Sequence, residues 1–282
     1  MALVDIEAYT ARSRALDLTG ICWEDVPRHP LSPEALRTLR YMQDIETHTI
    51  VYLRTVLSTR AMDDPEVATF LACWFYEETF HGRALARFLE AAGHPVRPRP
   101  RSGMNFPQWA EARSTAVVAR LWPDFVAVHM TWGAINELTT LVGYQRLSSL
   151  VGHPVLSELL SRIIRDEAKH FAFYYAHAEK WLARPAAARV TRFLVDRFWR
   201  PVGSGVQPAA ETRFLAEYLL AGDEGREAAR TVDDKIRALP GFDGVALLEA
   251  WIDREAARAA RRARPTRVTA PSSAVGPATL SA

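Results

Sequence analysis

The sequence predicts an all-α protein, in which a four-helix bundle is followed by additional C-terminal helices. The pattern Glu-x-x-His occurs twice, each time inside a long stretch with apolar residues at helical spacing, and no stretch requires a strand. Two helix-start signals, Ser32-Pro33-Glu34 and Asp64-Pro65-Glu66, place a capping side chain directly before a proline at the first helical position. Long, capped helices that each carry polar residues on an apolar stripe are typical of a bundle.

The elements follow in order along the chain. Residues 1–32 are an irregular or short-helical lead-in, and the first long helix is predicted at about 33–59. The second begins at the Asp64 signal and ends at Gly93. The four prolines of residues 95–107 predict a crossover loop, which suits a ferritin-like topology with one long connection between helix pairs.

The second half of the bundle is predicted from Gln108 to Val151, with a kink at Trp122-Pro123, and from Pro154 to near Leu182. The bundle therefore occupies residues 33–183. Residues 184–264 are expected to form shorter helices that pack on the bundle, with a small separate helical lobe as the alternative. These helices are predicted at 186–199, 208–221, 223–238 and 245–264, and the aperiodic tail at 265–282 is expected to be disordered.

The two Glu-x-x-His copies are the first sign of chemistry. A spacing of three residues places Glu78 and His81, and likewise Glu167 and His170, on one helix face one turn apart. Apolar residues share both faces, which predicts that they are buried. A single copy would be read more often as an ordinary buried ion pair, but two copies on separate helices favour metal binding.

Two further helical stretches each place one glutamate, Glu46 or Glu137, on an apolar stripe. Four carboxylates and two imidazoles in a dry bundle would repel one another and lose their hydration, at a cost of several kcal/mol per ion unless cations lie among them. The chain order is Glu, Glu-x-x-His, Glu, Glu-x-x-His, which is the pattern of dinuclear carboxylate bundles. The sequence therefore predicts a site for two divalent metal ions.

The predicted ligands differ in role. An oxygen-rich shell without thiolates favours iron or manganese over copper and argues against structural zinc or an iron–sulfur cluster. Two iron ions are expected, with a Mn–Fe pair as the alternative, and such a pair reduces O2 to an oxidant that attacks C–H bonds. We assign Glu78 and Glu167 as bridging carboxylates, Glu46 and Glu137 as terminal ligands, and His81 and His170 as one imidazole for each metal.

These motifs resemble a known family over residues 33–182. The stretches EETFHGRALARFLEAAG and RDEAKHFAFYYAHAEKW are similar to the two Glu-x-x-His helices of the soluble acyl-ACP desaturases, which commonly read EENRHG and DEKRH. The stretch NELTTLVGYQRL is similar to their intervening glutamate helix. By this resemblance Thr140, one turn after Glu137, lies beside the metals and assists proton delivery.

The resemblance also implies partners and an activity. It implies an O2-dependent oxidase acting as an acyl-chain desaturase, an external electron donor such as ferredoxin, acyl carrier protein as a partner, and a homodimer. Two alternatives stay open: a hydroxylase or N-oxygenase acting on a small metabolite, and a non-enzymatic ferritin-like iron-binding protein.

Several neighbours of the predicted ligands have plainer interpretations. Glu77 and Asp166 adjoin ligands on the wrong helix face, so surface pairing or support of the ligands is expected instead of metal binding. Trp74 and Tyr144 are expected in the core, and His48 on the surface. Two helix-interior glycines near the ligands, Gly82 and Gly133, would allow either room for substrate or close helix packing.

Composition excludes several classes of protein. The formal charge is +2, and residues 251–282 carry six arginines against Asp253 and Glu255, so the remainder is about −2 and offers no footprint for nucleic acid. The arginines of the last helix are expected to form a solvated face, and the alternative is that they bind an acidic carrier protein or a membrane surface.

Two cysteines cannot form a disulfide framework, and neither a signal peptide nor a transmembrane run is present, so a cytoplasmic protein is expected.

Overall fold

Helices make up the whole regular structure of the part of the chain that the computed structural model describes, namely residues 4–57, 59–96, 119, 122, 124–204 and 206–263. The predicted all-α class is confirmed. A short helix, α1 (Ile6–Thr10), and a 3-10 segment at Trp23–Arg28 form the lead-in. The only bridge between extended residues in these ranges joins Ser204 and Gln207.

Four long helices form the bundle at the centre of the fold. They are α2 (Pro33–Val56), α3 (Pro65–Ala91), α4 (Phe125–Val151) and α5 (Pro154–Leu182). The helices pack most extensively as the pairs α2 with α3 and α4 with α5. The predicted bounds agree with these within a few residues, while the expected crossover loop, the start at Gln108, the kink at Trp122-Pro123 and the tail at 265–282 lie largely or wholly outside the described residues.

The ends of these helices are capped as their sequences predict. The Ser32 hydroxyl oxygen accepts a hydrogen bond from the Ala35 N–H (3.1 Å), and Asp64 Oδ1 accepts one from the Glu66 N–H (2.9 Å). Gly152 ends α4 in the left-handed conformation, with φ of 61°. The tight turn that follows places α5 antiparallel to α4, directly beside it.

Four shorter helices cover the bundle: α6 (Pro185–Phe198), α7 (Ala209–Leu219), α8 (Gly222–Arg237) and α9 (Leu248–Ala263). Helix α6 packs against α4 and α5, α7 packs against α2 and α4, and α8 packs against α4. Helix α9 lies on α8. The loop between α6 and α7 lies against α2, where the Tyr41 hydroxyl donates to the Val202 carbonyl at 2.7 Å.

Two apolar clusters lie at different levels of the bundle. One contains Phe70, Met130 and Phe173, and the other contains Leu39, Leu85 and Leu160. The predicted ligands of α2, α3 and α5 fall between these levels, and Glu137 of α4 lies next to Leu138 of the first cluster, so apolar side chains enclose the polar site. Within the described ranges, no helix has both the length and the apolar character needed to cross a bilayer.

Candidate metal centre

The structure brings the six predicted ligands together inside the bundle, where all six are buried. Their ligand atoms form two groups, and within each group all atoms lie within 4.8 Å of one another. Glu78 and Glu167 belong to both groups, as expected of carboxylates that bridge two ions. The first group adds Glu46 and His81, and the second adds Glu137 and His170.

His81 turns one nitrogen toward the carboxylates and the other away from them. Its Nδ1 lies 3.3 Å from Glu167 Oε1, 3.7 Å from Glu78 Oε1 and 4.0 Å from Glu46 Oε2. Its Nε2 lies 3.4 Å from Oδ2 of Asp166, on the neighbouring helix α5. Nδ1 is therefore the nitrogen available to a metal.

His170 has the same arrangement with the roles of the two helices exchanged. Its Nδ1 lies 3.1 Å from Glu78 Oε1, 3.5 Å from Glu137 Oε2 and 3.7 Å from Glu167 Oε2. Its Nε2 lies 2.8 Å from Oε2 of Glu77, on helix α3. Each histidine is thus held by an acid that directly precedes a predicted ligand of the other helix.

These two supporting acids are themselves held in place. The Tyr9 hydroxyl of α1 donates to Glu77 Oε2 at 2.7 Å, and Lys169 Nζ lies 2.5 Å from Asp166 Oδ1. Burial acts to raise the pKa of Asp166, but His81 and Lys169 outweigh it and lower the value to about 2. The pKa of Glu77 is lowered in the same way, because His170 outweighs the effect of burial. Both acids are therefore anionic acceptors, and each imidazole carries a proton on Nε2 that faces its acid.

Two buried aromatic side chains hold the terminal glutamates. Trp74 Nε1–H donates to Glu137 Oε1 at 3.0 Å, and the Tyr144 hydroxyl donates to Glu46 Oε1. Both aromatic residues are core residues, as predicted, but these hydrogen bonds were not predicted. Each donor leaves the other oxygen of its glutamate facing the centre.

The pKa values at the site are shifted because like charges lie close together in a buried environment. Burial and the adjacent Glu78 raise the pKa of Glu46 well above its usual range, and burial and Glu167 do the same to Glu137. Burial by itself would lower the pKa of His81, but the adjacent carboxylates of Asp166 and Glu167 raise it to about 10. Without metal, protons therefore compensate part of the negative charge.

Five buried atoms of the site have no hydrogen-bond partner within the described residues. They point to the same small volume, and each is a ligand atom that a divalent cation would satisfy. A carboxylate-rich set with two imidazoles suits iron or manganese, so the residues fit the predicted pair of ions. The five atoms are Glu46 Oε2, Glu78 Oε1, His81 Nδ1, Glu167 Oε1 and His170 Nδ1.

A large cavity of about 480 Å³ opens onto the carboxylate side of the centre. Its inner wall includes all four glutamates, and its outer wall includes Trp132, Phe198 and Arg200. A narrow apolar cavity of about 80 Å³ adjoins it and shares Glu46 and Thr140 with it. The centre is therefore reached from the glutamate side, while the backs of its histidines are covered by the supporting acids.

Thr140, the residue proposed to deliver protons, lies where the two cavities meet. Its neighbour Thr139 donates its hydroxyl to the Ile135 carbonyl at 2.7 Å. In the part of the chain that the structure describes, the Thr140 hydroxyl forms no such bond and faces the cavity. Its position fits the predicted role, and that role stays a prediction.

The helix-interior glycines allow close packing, and Gly133 also lines the large cavity. A Cβ added at Gly133 would lie 2.2 Å from the Tyr174 ring, and one added at Gly82 would lie 3.2 Å from Glu46 Cβ. Gly82 thereby allows α2 to approach α3 at the level of the terminal glutamate. His48 is partly exposed, and it also lines the large cavity.

Comparison with known proteins adds no further evidence of identity. No protein-family model matches the chain, and no curated protein matches it in sequence. The likeness to acyl-ACP desaturases therefore rests on the motifs described above.

Proposed function

We propose that this protein is an O2-dependent dinuclear metal oxidoreductase that oxidises a C–H bond of a substrate held in the large cavity. One observation carries the proposal: two groups of ligand atoms share Glu78 and Glu167 and lie beside a cavity that reaches them from outside. A metal site with only a structural role needs no such access, whereas a catalytic one does.

Two iron ions are the proposed cofactor, with a Mn–Fe pair as the alternative. Glu46 and His81 would hold one ion and Glu137 and His170 the other. When bound, such a pair supplies electrons and Lewis acidity for the reduction of O2 to an oxidant that cleaves an unactivated C–H bond.

The chain's own residues would hold the site in shape and control access to it. Trp74 and Tyr144 orient the terminal glutamates, and Glu77 and Asp166 orient the histidines from behind. O2 and substrate would approach from the large cavity, where the carboxylates are exposed. The apolar clusters on either side limit water at the site, which protects a reactive oxidant from unproductive reduction.

Thr140 is the proposed proton carrier. A hydroxyl can accept one proton while it donates a different one to a second group. A carboxylate that binds a metal is less able to do this. Thr140 and Glu46 line both cavities, so a proton carried by this hydroxyl would be close to the centre.

The narrow cavity supports an acyl chain as the substrate. Its lining includes Met42, Val142, Leu215 and Leu219 and is almost entirely apolar. An unbranched hydrocarbon segment would fit there, with its carbon atoms passing Glu46. Hydroxylation or N-oxygenation of a small metabolite uses the same oxidant and is the alternative within enzymes.

A non-enzymatic iron-binding protein is the alternative outside enzymes. Such a protein needs a path for ions but does not need a cavity lined by aromatic residues such as Trp132 and Phe198. It would also accumulate many irons per assembly, whereas an oxidase holds two per chain and consumes O2 with a reductant.

Metal content of the purified protein tests the proposal first. We expect about two irons per chain in the wild type and O2 uptake after anaerobic reduction. Glu78→Ala and His170→Ala should each lower the metal content sharply, whereas Glu158→Ala, an exposed glutamate on α5, should leave it unchanged. A wild type that binds no stoichiometric iron or manganese after loading would overturn the proposal.

A further inference from the structure

A second concave surface lies beside the mouth of the large cavity. We call it the arginine groove, defined by Arg197, Arg200, Arg213, Arg254 and Arg258, and its volume is about 520 Å³. Arg200 and Ser204 line both the groove and the large cavity. The two spaces are therefore neighbours that share these residues of the loop between α6 and α7.

The two acids of the groove are already paired. Glu255 binds Arg213, with 2.8 Å between Nε and Oε2, and also binds Arg258. Asp196 lies 2.6 Å from Nε of Arg192, which is outside the groove lining. Within the described ranges, Arg197, Arg200 and Arg254 have no acid within ion-pair distance.

Three guanidinium groups without acidic partners in one concavity favour an anion. A phosphate monoester carries close to two negative charges at neutral pH and offers three acceptor oxygens, which suits several arginines better than a single carboxylate does. A concave site also binds a small charged group better than a flat charged surface does. Arg254 and Arg258 come from the last helix, so two arginines of its solvated face line the groove.

We propose that the arginine groove binds a phosphate group of the substrate, and that the substrate is an amphipathic phosphate ester whose apolar end enters the large cavity. This inference rests on the proposed function, since it identifies the substrate class of the same site. Arg200 would contact the phosphate at the point where the groove meets the cavity. The apolar end would then extend past Trp132 toward Glu46 and the narrow cavity.

Calorimetric titration of the full chain with a series of n-alkyl phosphates, from ethyl to octyl, tests this inference. We expect affinity to increase by roughly three- to fourfold for each added methylene as the chain enters the cavity. The double variant R200A/R254A should weaken binding of every member by about tenfold or more. The matched double variant R226A/R230A, which removes two exposed arginines of α8, should bind as the wild type does.

Two further variants separate the possible binding places. Ile45→Trp, which fills the inner part of the large cavity, should abolish the dependence on chain length and leave the affinity for ethyl phosphate unchanged. Glu78→Ala should leave ethyl phosphate binding unchanged, because the groove does not include the centre.

Three results would overturn the inference: affinity independent of chain length in the wild type, equal affinity in R200A/R254A and the wild type, or loss of ethyl phosphate binding in Glu78→Ala. Metal content measured on the same preparations distinguishes the two proposals. A chain that holds no metal but binds alkyl phosphates as described would contradict the proposed oxidoreductase and leave the groove assignment standing.

Discussion

Glu77 of α3 accepts a hydrogen bond from Nε2–H of His170 of α5, with 2.8 Å between the two heavy atoms. Conversely, Oδ2 of Asp166 of α5 lies 3.4 Å from Nε2 of His81 of α3. Each helix therefore supplies a predicted ligand pair for the metals and a support for the partner helix's histidine. This crosswise arrangement ties the positions of the two helices to the geometry of the centre.

Removing one support should weaken metal binding without unfolding the chain. Glu77→Gln keeps an acceptor oxygen for His170 but loses the charge, and Glu77→Ala loses both. We expect metal affinity to fall in the order wild type, Gln, Ala, with a loss of about 10- to 100-fold for Ala. Competition with a chromophoric chelator measures the affinity, and circular dichroism checks the fold.

The control for this series is Glu90→Gln, an exposed glutamate on the same helix. It should bind metal like the wild type. Equal affinity of Glu77→Ala and the wild type would mean that the bond to His170 has no influence on the centre.

Tyr144→Phe should shift the pH dependence of metal loading. Metal must displace protons from the site, and burial together with Glu78 raises the pKa of Glu46, so loading should improve as pH increases. The Tyr144 hydroxyl favours the charged form of Glu46. Its removal raises that pKa further, so the pH of half-maximal loading should move upward.

Loading at a fixed iron concentration across a pH series measures this shift. Tyr175→Phe is a suitable control, because that hydroxyl donates to the Lys235 carbonyl, away from the centre. A profile for Tyr144→Phe that coincides with the wild-type profile would contradict the assigned effect.

His153 should make stability depend on pH at the start of α5. Its Nδ1 accepts from the Leu156 N–H (3.3 Å), and its Nε2 lies 3.2 Å from the Val26 carbonyl, an arrangement that needs the neutral ring. Burial lowers its pKa below the usual 6.5. The contribution to stability is therefore complete above the unfolded-state value and is lost as pH falls through the lower folded-state value.

Urea unfolding of His153→Asn at about pH 7.5 and about pH 5 tests this effect against the wild type. Asparagine can cap the helix at either pH but cannot reach Val26 as the ring does, so we expect a loss of about 0.5–1.5 kcal/mol at the higher pH. The difference in unfolding free energy between the variant and the wild type should decrease at the lower pH. An equal difference at both pH values would show that the pKa of the ring does not change on unfolding.

Asp233 should be a major stabilising residue of the C-terminal helices. It is fully buried, and its two oxygens accept hydrogen bonds from the N–H groups of Leu247, Leu248 and Glu249 at 2.9–3.1 Å, where α9 begins. Asp233→Ala leaves these donors unsatisfied and should lower the free energy of unfolding by about 1–3 kcal/mol. Asp234→Ala, at its exposed neighbour, should change it by less than about 0.5 kcal/mol.

Chemical denaturation followed by circular dichroism measures both variants. The iron content of folded Asp233→Ala should equal that of the wild type, because α9 supplies no ligand. Loss of iron together with stability would indicate that the C-terminal helices and the centre are coupled.

Much of the candidate site could be predicted because its signals are local. Glu78 and His81 are three residues apart, and the helical period alone places them on one face. The same period selects Glu46 and Glu137 from among many acids, since they lie on apolar stripes. Repulsion between buried charges then requires that the stripes meet around cations.

The hydrogen bonds around the ligands could not be predicted in the same way. Tyr9 and Glu77 are separated by 68 positions in the sequence, and Glu46 and Tyr144 by 98. Whether such pairs meet depends on the rotation and spacing of packed helices, which no local pattern specifies. An acid precedes each Glu-x-x-His, and this repeated feature could have indicated a supporting role. The histidine that each acid would contact on the other helix could not be predicted from it.

The sequence by itself determined the all-α class, the four long helices and the six residues that converge, because helical period, caps and charge burial act over a few residues. Only the tertiary structure decided the crosswise support of the histidines, the large cavity on the glutamate side and the arginine groove. These features arise where side chains from distant segments come within hydrogen-bond or van der Waals distance, and that depends on how the helices pack.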